Sequence, residues 1–319
     1  MMADLDASEE MFAEIMQGAG DIIRRRSPRC HRFVTFMLRY GLGFVMRAFF
    51  TVVALCYFVF VFGIVIPYEA LFKPRWFVIV CTFFAAYMFF SIIFYFVMAS
   101  LTGPGNPKSE PNGTRDCKIC QKAKHPGTHH CSMCGACILK MDHHCVWLNQ
   151  CVGAENHRYF FQLLAYLSIS MFTLLILGSN TFYYNFRKNE LSFCGAMIET
   201  THWSEHVLCK DGGDTVENFT VFFLFMSVLV GLAMGGFCLW NCFLISYGTT
   251  YLECLTSMKA IMNSDITVKQ IIRNWRIFLG LRRGRTFWRH ILLPSFHVAE
   301  RYIEEPTTPD EEILSVVVH

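Results

Sequence analysis

The chain has 319 residues, of which 54% are hydrophobic and 32 are Phe, with a formal net charge of +3. That is too apolar for a soluble domain of this length; the net charge says little by itself, and no nucleic-acid partner is expected. The placement of the apolar residues settles the class, because they come in long uncharged runs.

Residues 1–46 form an N-terminal region in which Met1–Ile23 is acidic, lacks the features of a signal peptide, and reads as a short amphipathic helix. No charge lies between Arg47 and Glu69, Arg75 and Lys108, Arg158 and Arg187, or Glu217 and Glu253. A spanning helix needs about 20 predominantly apolar residues, and backbone groups in lipid must be paired internally. Transmembrane helices are therefore expected near 47–67, 76–100, 160–184 and 219–246. Residues 47–100 would hold the first two spans with a short loop, and 101–158 a Cys/His-rich domain. Residues 159–246 would hold the third and fourth spans around loop 185–218, and 247–319 a tail. The expected fold is an α-helical polytopic membrane protein of four helices, with a loop-rich domain between the second and third.

Basic residues near the spans set the orientation. Arg24, Arg25, Arg26, Arg29, Arg32 and Arg39 precede the first span, and the 101–158 segment carries Lys108, Arg115, Lys118, Lys122, Lys124, Lys140 and Arg158. The tail adds Arg273, Arg276, Arg282, Arg283, Arg285 and Arg289, whereas loop 185–218 sets Arg187, Lys188 and Lys210 against six acids. Both termini and the Cys/His segment are expected in the cytosol. On the far side, Cys194 and Cys209 would be free to pair, and Asn218-Phe219-Thr220 is a formal glycosylation sequon. Asn112-Gly113-Thr114 matches that pattern too, but faces the cytosol and should be silent.

Seven of the 15 cysteines fall between Cys117 and Phe160, in the pattern C-x2-C-x9-H-C-x2-C-x2-C-x4-D-H-H-C-x5-C-x4-N-x3-F. Cys117-x2-Cys120 and Cys131-x2-Cys134-x2-Cys137 have zinc-knuckle spacing, and a reducing cytosol would keep such thiolates available. Two tetrahedral Cys3His sites would use six thiolates and two imidazoles from His125, His129, His130, His143, His144 and His157, leaving one cysteine over. A redox dithiol would want strand–helix alternation around it, which is missing. A zinc ribbon using all seven cysteines would leave Asp142-His143-His144-Cys145 without a task. Those residues instead provide a carboxylate, imidazoles and a thiol within four positions, the types needed to make a reactive thiolate near neutral pH. Spacing alone leaves open which histidine serves which role.

This segment resembles the DHHC-type zinc-containing protein S-acyltransferase (palmitoyltransferase) family, with every cysteine position of its pattern filled. The four-span plan is similar too. The resemblance implies one structural Zn2+ on Cys117, Cys120, His130 and Cys137, and a second on Cys131, Cys134, His144 and Cys151. It implies Cys145 as the acyl carrier, His143 as its base and Asp142 as the residue that orients the base. It also implies contacts from Lys124 and His129 to the head group of palmitoyl-CoA or another long-chain acyl-CoA. Partners would be the bilayer, the acyl-CoA and membrane-associated proteins bearing cysteines, and the address endoplasmic reticulum or Golgi. Two family features depart from type: Gly103-Pro104-Gly105 stands for Asp-Pro-Gly, and Thr250-Tyr251-Leu252-Glu253 for Thr-Thr-x-Glu. The tail, with Asn274-Trp275, Phe278-Leu279-Gly280 and Leu292-Leu293-Pro294, looks most like the ablphilin-like branch and shows no Asn-Pro element.

The reaction so implied passes a fatty acyl group through a Cys145 thioester to protein cysteines. Phe83, Phe84, Phe89, Phe90 and Phe172 are candidates to line a cavity for the chain, while Tyr183, Tyr184 and Trp240 read as interfacial anchors. Arg282, Arg283 and Arg285 suit anionic headgroups. A zinc-dependent membrane adaptor would keep the eight ligands without needing Cys145. A transporter would want ionisable residues within its spans, and these runs have none.

Overall fold

The structure, a computed structural model, describes residues 37, 41–107, 115–117, 119–121, 123–124, 127–187, 214–262, 266–281 and 285–297. Four helices are long and apolar enough to cross a membrane: α1 (Leu42–Glu69), α2 (Arg75–Leu101), α3 (His157–Leu177) and Thr215–Tyr247, the bulk of α5 (Asp214–Tyr247). Between α3 and α5 lies the short α4 (Ser179–Arg187). The Met1–Ile23 helix, the Cys194–Cys209 pair, the Asn112 sequon, Arg282 and Arg283 lie outside the described residues. The Asn218 sequon sits within α5, where the Thr220 side chain is buried and its hydroxyl donates to the Val216 carbonyl.

Helix α1 widens into a π-helical turn at Val61–Val65, immediately before Pro67. Proline has no N–H to give residue 63, and its ring crowds that carbonyl, so a wider turn absorbs the conflict. The expected third span ran on to residue 184, whereas α3 ends at Leu177. Gly178 explains the break: a Cβ there would stand 2.7 Å from the Leu174 carbonyl and 3.2 Å from both Phe182 and Val65. Lys73 closes the end of α3 by donating to the Leu177 carbonyl, and it pairs with Glu69 at 2.9 Å. Buried Glu69 also accepts from the Thr181 amide and hydroxyl and from Asn180, so a charge at the end of α1 is fully partnered.

Three two-stranded antiparallel hairpins fill the segment between α2 and α3. They are β1 (Arg115–Asp116) with β2 (Ala123–Lys124), β3 (Thr128–Cys131) with β4 (Ala136–Leu139), and β5 (His143–Cys145) with β6 (Gln150–Val152). Hairpins this small bury almost nothing of their own and need another source of stability. Side chains tie them to the helices. Gln150 donates to the Ala99 and Thr102 carbonyls at the end of α2, and Arg47 in α1 donates to the Leu148 carbonyl at 2.6 Å. Buried Asn156 locks the turn into α3, accepting from the Gly153 amide and donating to the Cys151 carbonyl.

Past α5 come α6 (Tyr251–Met262), α7 (Val268–Phe278) and an extended stretch holding a π-turn at Trp288–Leu292. Asn274 and Trp275 dock α7 on the end of α5, through the Ser246 carbonyl at 2.9 Å and its hydroxyl at 3.0 Å. The tail therefore docks without an Asn-Pro element.

Candidate active site and metal centres

Each cysteine knuckle closes on itself. The Cys120 amide donates to Cys117 Sγ and the Cys134 amide to Cys131 Sγ, both at 3.4 Å. In the second knuckle Gly135 takes a φ of +64°, a left-handed turn that glycine adopts without cost. The hairpins then bring distant donors to the knuckles. Cys117, Cys120, His130 and Cys137 form one group, and Cys131, Cys134, His144 and Cys151 another. Within each, the ligand atoms all lie within 4.8 Å of one another. These are the eight residues that the resemblance named.

The donor sets fit a tetrahedral metal. Metal–ligand bonds of 2.0–2.3 Å imply donor–donor edges of roughly 3.3–3.8 Å. Around His144 Nδ1 the edges are 3.6 Å to Cys131, 3.4 Å to Cys134 and 3.6 Å to Cys151, and Cys134 lies 3.5 Å from Cys151. In the other group His130 Nδ1 lies 3.2 Å from Cys120 and 3.9 Å from Cys137. Electrostatics agrees. Hydrogen bonding to Cys131 and Cys134 pushes the Cys151 thiol far above its usual range, while the bonds from Cys134 and Cys151 pull Cys131 far below it. Three thiols so close could all ionise only beside a balancing cation, which a divalent metal would supply.

Strand geometry separates the two adjacent histidines. Successive side chains on a strand point to opposite faces, so β5 sends His144 toward the metal cluster and His143 with Cys145 the other way. Cys145 is 6% exposed and packs in one cluster with Met88, Ile92, Tyr95 and Phe96 of α2, Leu148, and Tyr159 of α3. The thiol therefore sits where the hairpin meets the membrane helices.

Asp142 completes the group. Its Oδ2 lies 2.8 Å from His143 Nδ1, and its Oδ1 accepts the Tyr251 amide at 2.7 Å. Burial alone raises the Asp142 carboxyl, but the His143 hydrogen bond, the charge of His157 and the Tyr251 amide outweigh it and hold it below the ordinary carboxylate value. Burial lowers His143, yet its hydrogen bonds to Asp142 and Cys145 win and raise it to about 9. An imidazolium facing a thiol is the usual counter-charge of a reactive thiolate.

The departure at Tyr251 acquires an explanation here. Thr250 is the N-cap of α6, and Glu253 stands three residues on. The Thr250 amide donates to Glu253 Oε2 at 3.1 Å and the Glu253 amide to the Thr250 hydroxyl at 3.4 Å, a capping box. The box leaves the Tyr251 amide, in the first turn, free to meet Asp142, and the positive end of a helix suits a carboxylate. The contact is made by main chain, so the Tyr251 side chain is not needed for it and stays 39% exposed. Glu253 also pairs with Lys140 at 2.8 Å, which fastens α6 to the end of β4.

Other residues of the Cys/His segment take places that its spacing alone did not assign. Phe160 meets the His143 ring edge-on at 5.0 Å. His157, counted among the donors, belongs to neither cluster and instead bonds Asn241 of α5 at 3.0 Å. His129 lies in β3, half-buried and opposite Ile138, next to the metal-facing His130. The backbone of Lys124 lies in β2, and its side chain is outside the described residues.

A cavity of about 140 Å³, partly open to the outside, runs between α1, α2 and α3. Met88 and Ile92 line its near end and belong to the cluster that holds Cys145; Glu69, Lys73 and Gly178 close the far end. Phe84 and Phe89 line it as expected. Phe83, Phe90 and Phe172 do not, and are 73%, 65% and 41% exposed on the outer surface.

Comparison with known proteins follows the same residues. Positions 110–258 match the family model described as DHHC palmitoyltransferase. A mouse protein, Palmitoyltransferase ZDHHC16, is 32% identical over 218 residues, covering 65% of this chain and 58% of its own. Its human counterpart is 30% identical over 227 residues, covering 65% of this chain and 60% of its own. The zebrafish Palmitoyltransferase ZDHHC16B is 29% identical over 235 residues, covering 65% and 62%. The chain thus spans about three fifths of the length of the curated relatives it matches.

Proposed function

We propose that this chain, whose residues 110–258 match the DHHC palmitoyltransferase model, acts as a member of that family and moves a fatty acyl group from acyl-CoA, through a thioester on Cys145, to cysteines of membrane-associated proteins. The observation that carries this reading is the face of β5 opposite the metal cluster, where Asp142, His143 and Cys145 meet the membrane helices.

In the first step the Cys145 thiolate attacks the thioester carbonyl of the acyl-CoA. The carbon–sulfur bond to CoA breaks, and His143 gives its proton to the departing CoA thiolate. In the second step a substrate cysteine loses its proton to His143 and attacks the Cys145 thioester, and Cys145 leaves as thiolate. Asp142, fixed by the Tyr251 amide, keeps Nδ1 of His143 bonded and so aims Nε2 at the reacting sulfurs. Zinc, bound by the two Cys3His groups, would supply folding free energy and hold the hairpins in register. The acyl chain lies in the cavity between α1, α2 and α3. Leaving it in an apolar site costs little, whereas extracting a sixteen-carbon chain into water would cost about 10 kcal/mol at 0.8 kcal/mol per CH2. The Cys145 side of the protein faces the cytosol in this reading, where acyl-CoA is met; Lys124 and His129 take its head group.

Intact mass of the purified chain after incubation with palmitoyl-CoA tests the proposal. One added palmitoyl group with an equal release of CoA thiol is the expected result, and no adduct on a metal-replete protein would refute it. In sealed vesicles a membrane-impermeant thiol reagent should reach Cys145 from the cytosolic side.

A further inference from the structure

Arg158, in the first turn of α3, is 1% exposed and is the largest fully buried side chain among the described residues. A buried guanidinium is costly unless it is well partnered, and no carboxylate among the described residues pairs with it. Its partners are main-chain carbonyls of the tail: Ser295 at 3.1 Å, His290 at 3.5 Å and a short bond to His297. It also lies over the Tyr159 ring, 4.4 Å from the centroid.

The tail is shaped to offer those carbonyls. The π-turn at Trp288–Leu292 is followed by Pro294, which has no N–H to return to His290. The end of the turn therefore presents acceptors outward, and α2 and α3 fill them. Tyr95 and Gln162 each donate to the Ile291 carbonyl at 3.2 Å, Tyr166 to Leu292 at 2.9 Å, and Tyr159 to His297 at 2.9 Å. Ile291 itself is buried.

Two residues after Arg158, Phe160 sets its ring against His143. Tyr95 and Tyr159 belong to the cluster that encloses Cys145. We infer that Arg158 and tail residues 288–297 form a clamp that positions the His143–Cys145 pair: Arg158 grips the strap by its carbonyls, the gripped strap fixes the first turn of α3, and that turn holds the His143 ring through Phe160. Arg158 is a positioning residue, since it touches neither reacting sulfur. A planar fork of donors reads several carbonyls at once, which lysine with its single point charge does not.

The inference rests on Cys145 being the acyl carrier, and the test separates the two. The full chain is compared with Arg158→Gln, with Arg158→Lys, with a chain ending at Arg285, with Arg158→Gln in that shortened chain, and with Tyr159→Phe. For each, metal content, the rate of Cys145 alkylation by iodoacetamide and the rate of acylation by palmitoyl-CoA are measured per metal-loaded molecule. Arg158→Gln and the shortened chain should each keep both metal ions and react about tenfold to a hundredfold more slowly, the scale expected of small misplacements. Combined, they should be no slower than either alone, because both remove one device. Arg158→Lys should recover only part of the rate, and Tyr159→Phe, which loses one bond to the strap, should slow two- to threefold. Unchanged rates in Arg158→Gln and Tyr159→Phe, or effects that multiply in the combined variant, would overturn the clamp. If Arg158→Gln does not fold, Tyr159→Phe and the shortened chain decide. Acyl label that persists in Cys145→Ser would instead sink the reading of Cys145 and leave the clamp to be judged on alkylation.

Discussion

The two faces of one short hairpin, β5–β6, differ in kind. On one, His144 and Cys151 join Cys131 and Cys134 in a cluster whose members bond mainly to each other. On the other, His143 and Cys145 bond to nothing in that cluster, and their environment comes from elsewhere: Asp142, the α6 amide of Tyr251, Phe160 and the apolar ends of α2 and α3. The first face can be assembled from nearby residues and an ion. The second exists only when helices far apart in the chain have docked. A three-residue strand sets two adjacent imidazoles on opposite faces, one in the Cys/His cluster and one beside Asp142, because successive side chains alternate.

The largest test of that division removes a metal ligand. Cys134→Ala or Cys151→Ala should lose metal and the hairpin with it, abolishing acylation altogether, as metal content and acyl label would show. His143→Ala should do the reverse: metal stays, and acylation falls about a hundredfold to ten-thousandfold, the range of a lost general acid–base. Should His143→Ala release metal while His144→Ala keeps it, the two faces have been assigned backwards.

The His143 interaction also has a pH signature. Its folded value of about 9 lies above the ordinary 6.5, so the contribution is fully present below pH 6.5 and is lost as pH rises through about 9. Asp142, held below its ordinary value, contributes above that value and loses the contribution as pH falls through its lowered one. The melting temperature of the native chain should therefore exceed that of His143→Ala by a margin that shrinks between pH 6.5 and about 9. A margin that grows there would contradict the pairing.

Smaller effects sharpen the account of Tyr251. Tyr251→Phe should change acylation less than twofold, since only the main-chain N–H touches Asp142. Tyr251→Pro removes that N–H at a first-turn position where proline is well tolerated, and should slow acylation about tenfold with metal content intact, a loss near that of one charge-assisted hydrogen bond. The smallest effect concerns selectivity. Ser170 lines the cavity with its hydroxyl unpartnered, so Ser170→Phe should shift preference toward shorter acyl-CoAs a few-fold in a competition assay. Ser91, fully buried but outside the lining, should instead cost stability when enlarged.

What the sequence made legible follows from where its signals lie. The ligands and Cys145 stood out because knuckle spacing is a local, side-chain signal. Four spans were visible because charge is missing from whole runs. The same uniformity hid which Phe faces inward: with no polar face to set a period, Phe84 and Phe83 read alike. The opposite placements of His143 and His144 follow from strand alternation, which three residues are too few to announce. Tyr251 looked like a loss because the functional atom is a backbone amide, common to every residue but proline. The strap was silent for a similar reason, since it binds through carbonyls. Its visible traces are Leu292-Leu293-Pro294, noted only as a likeness, and Arg158, a charge at the mouth of an apolar span.

Metal content and acyl label of Cys145→Ser, measured on the same purified sample, bear most directly on the central claim that this cysteine stands apart from both metal sites. The account predicts two metal ions per chain and no acyl group after palmitoyl-CoA. One metal ion, or an acyl group still attached, would contradict it.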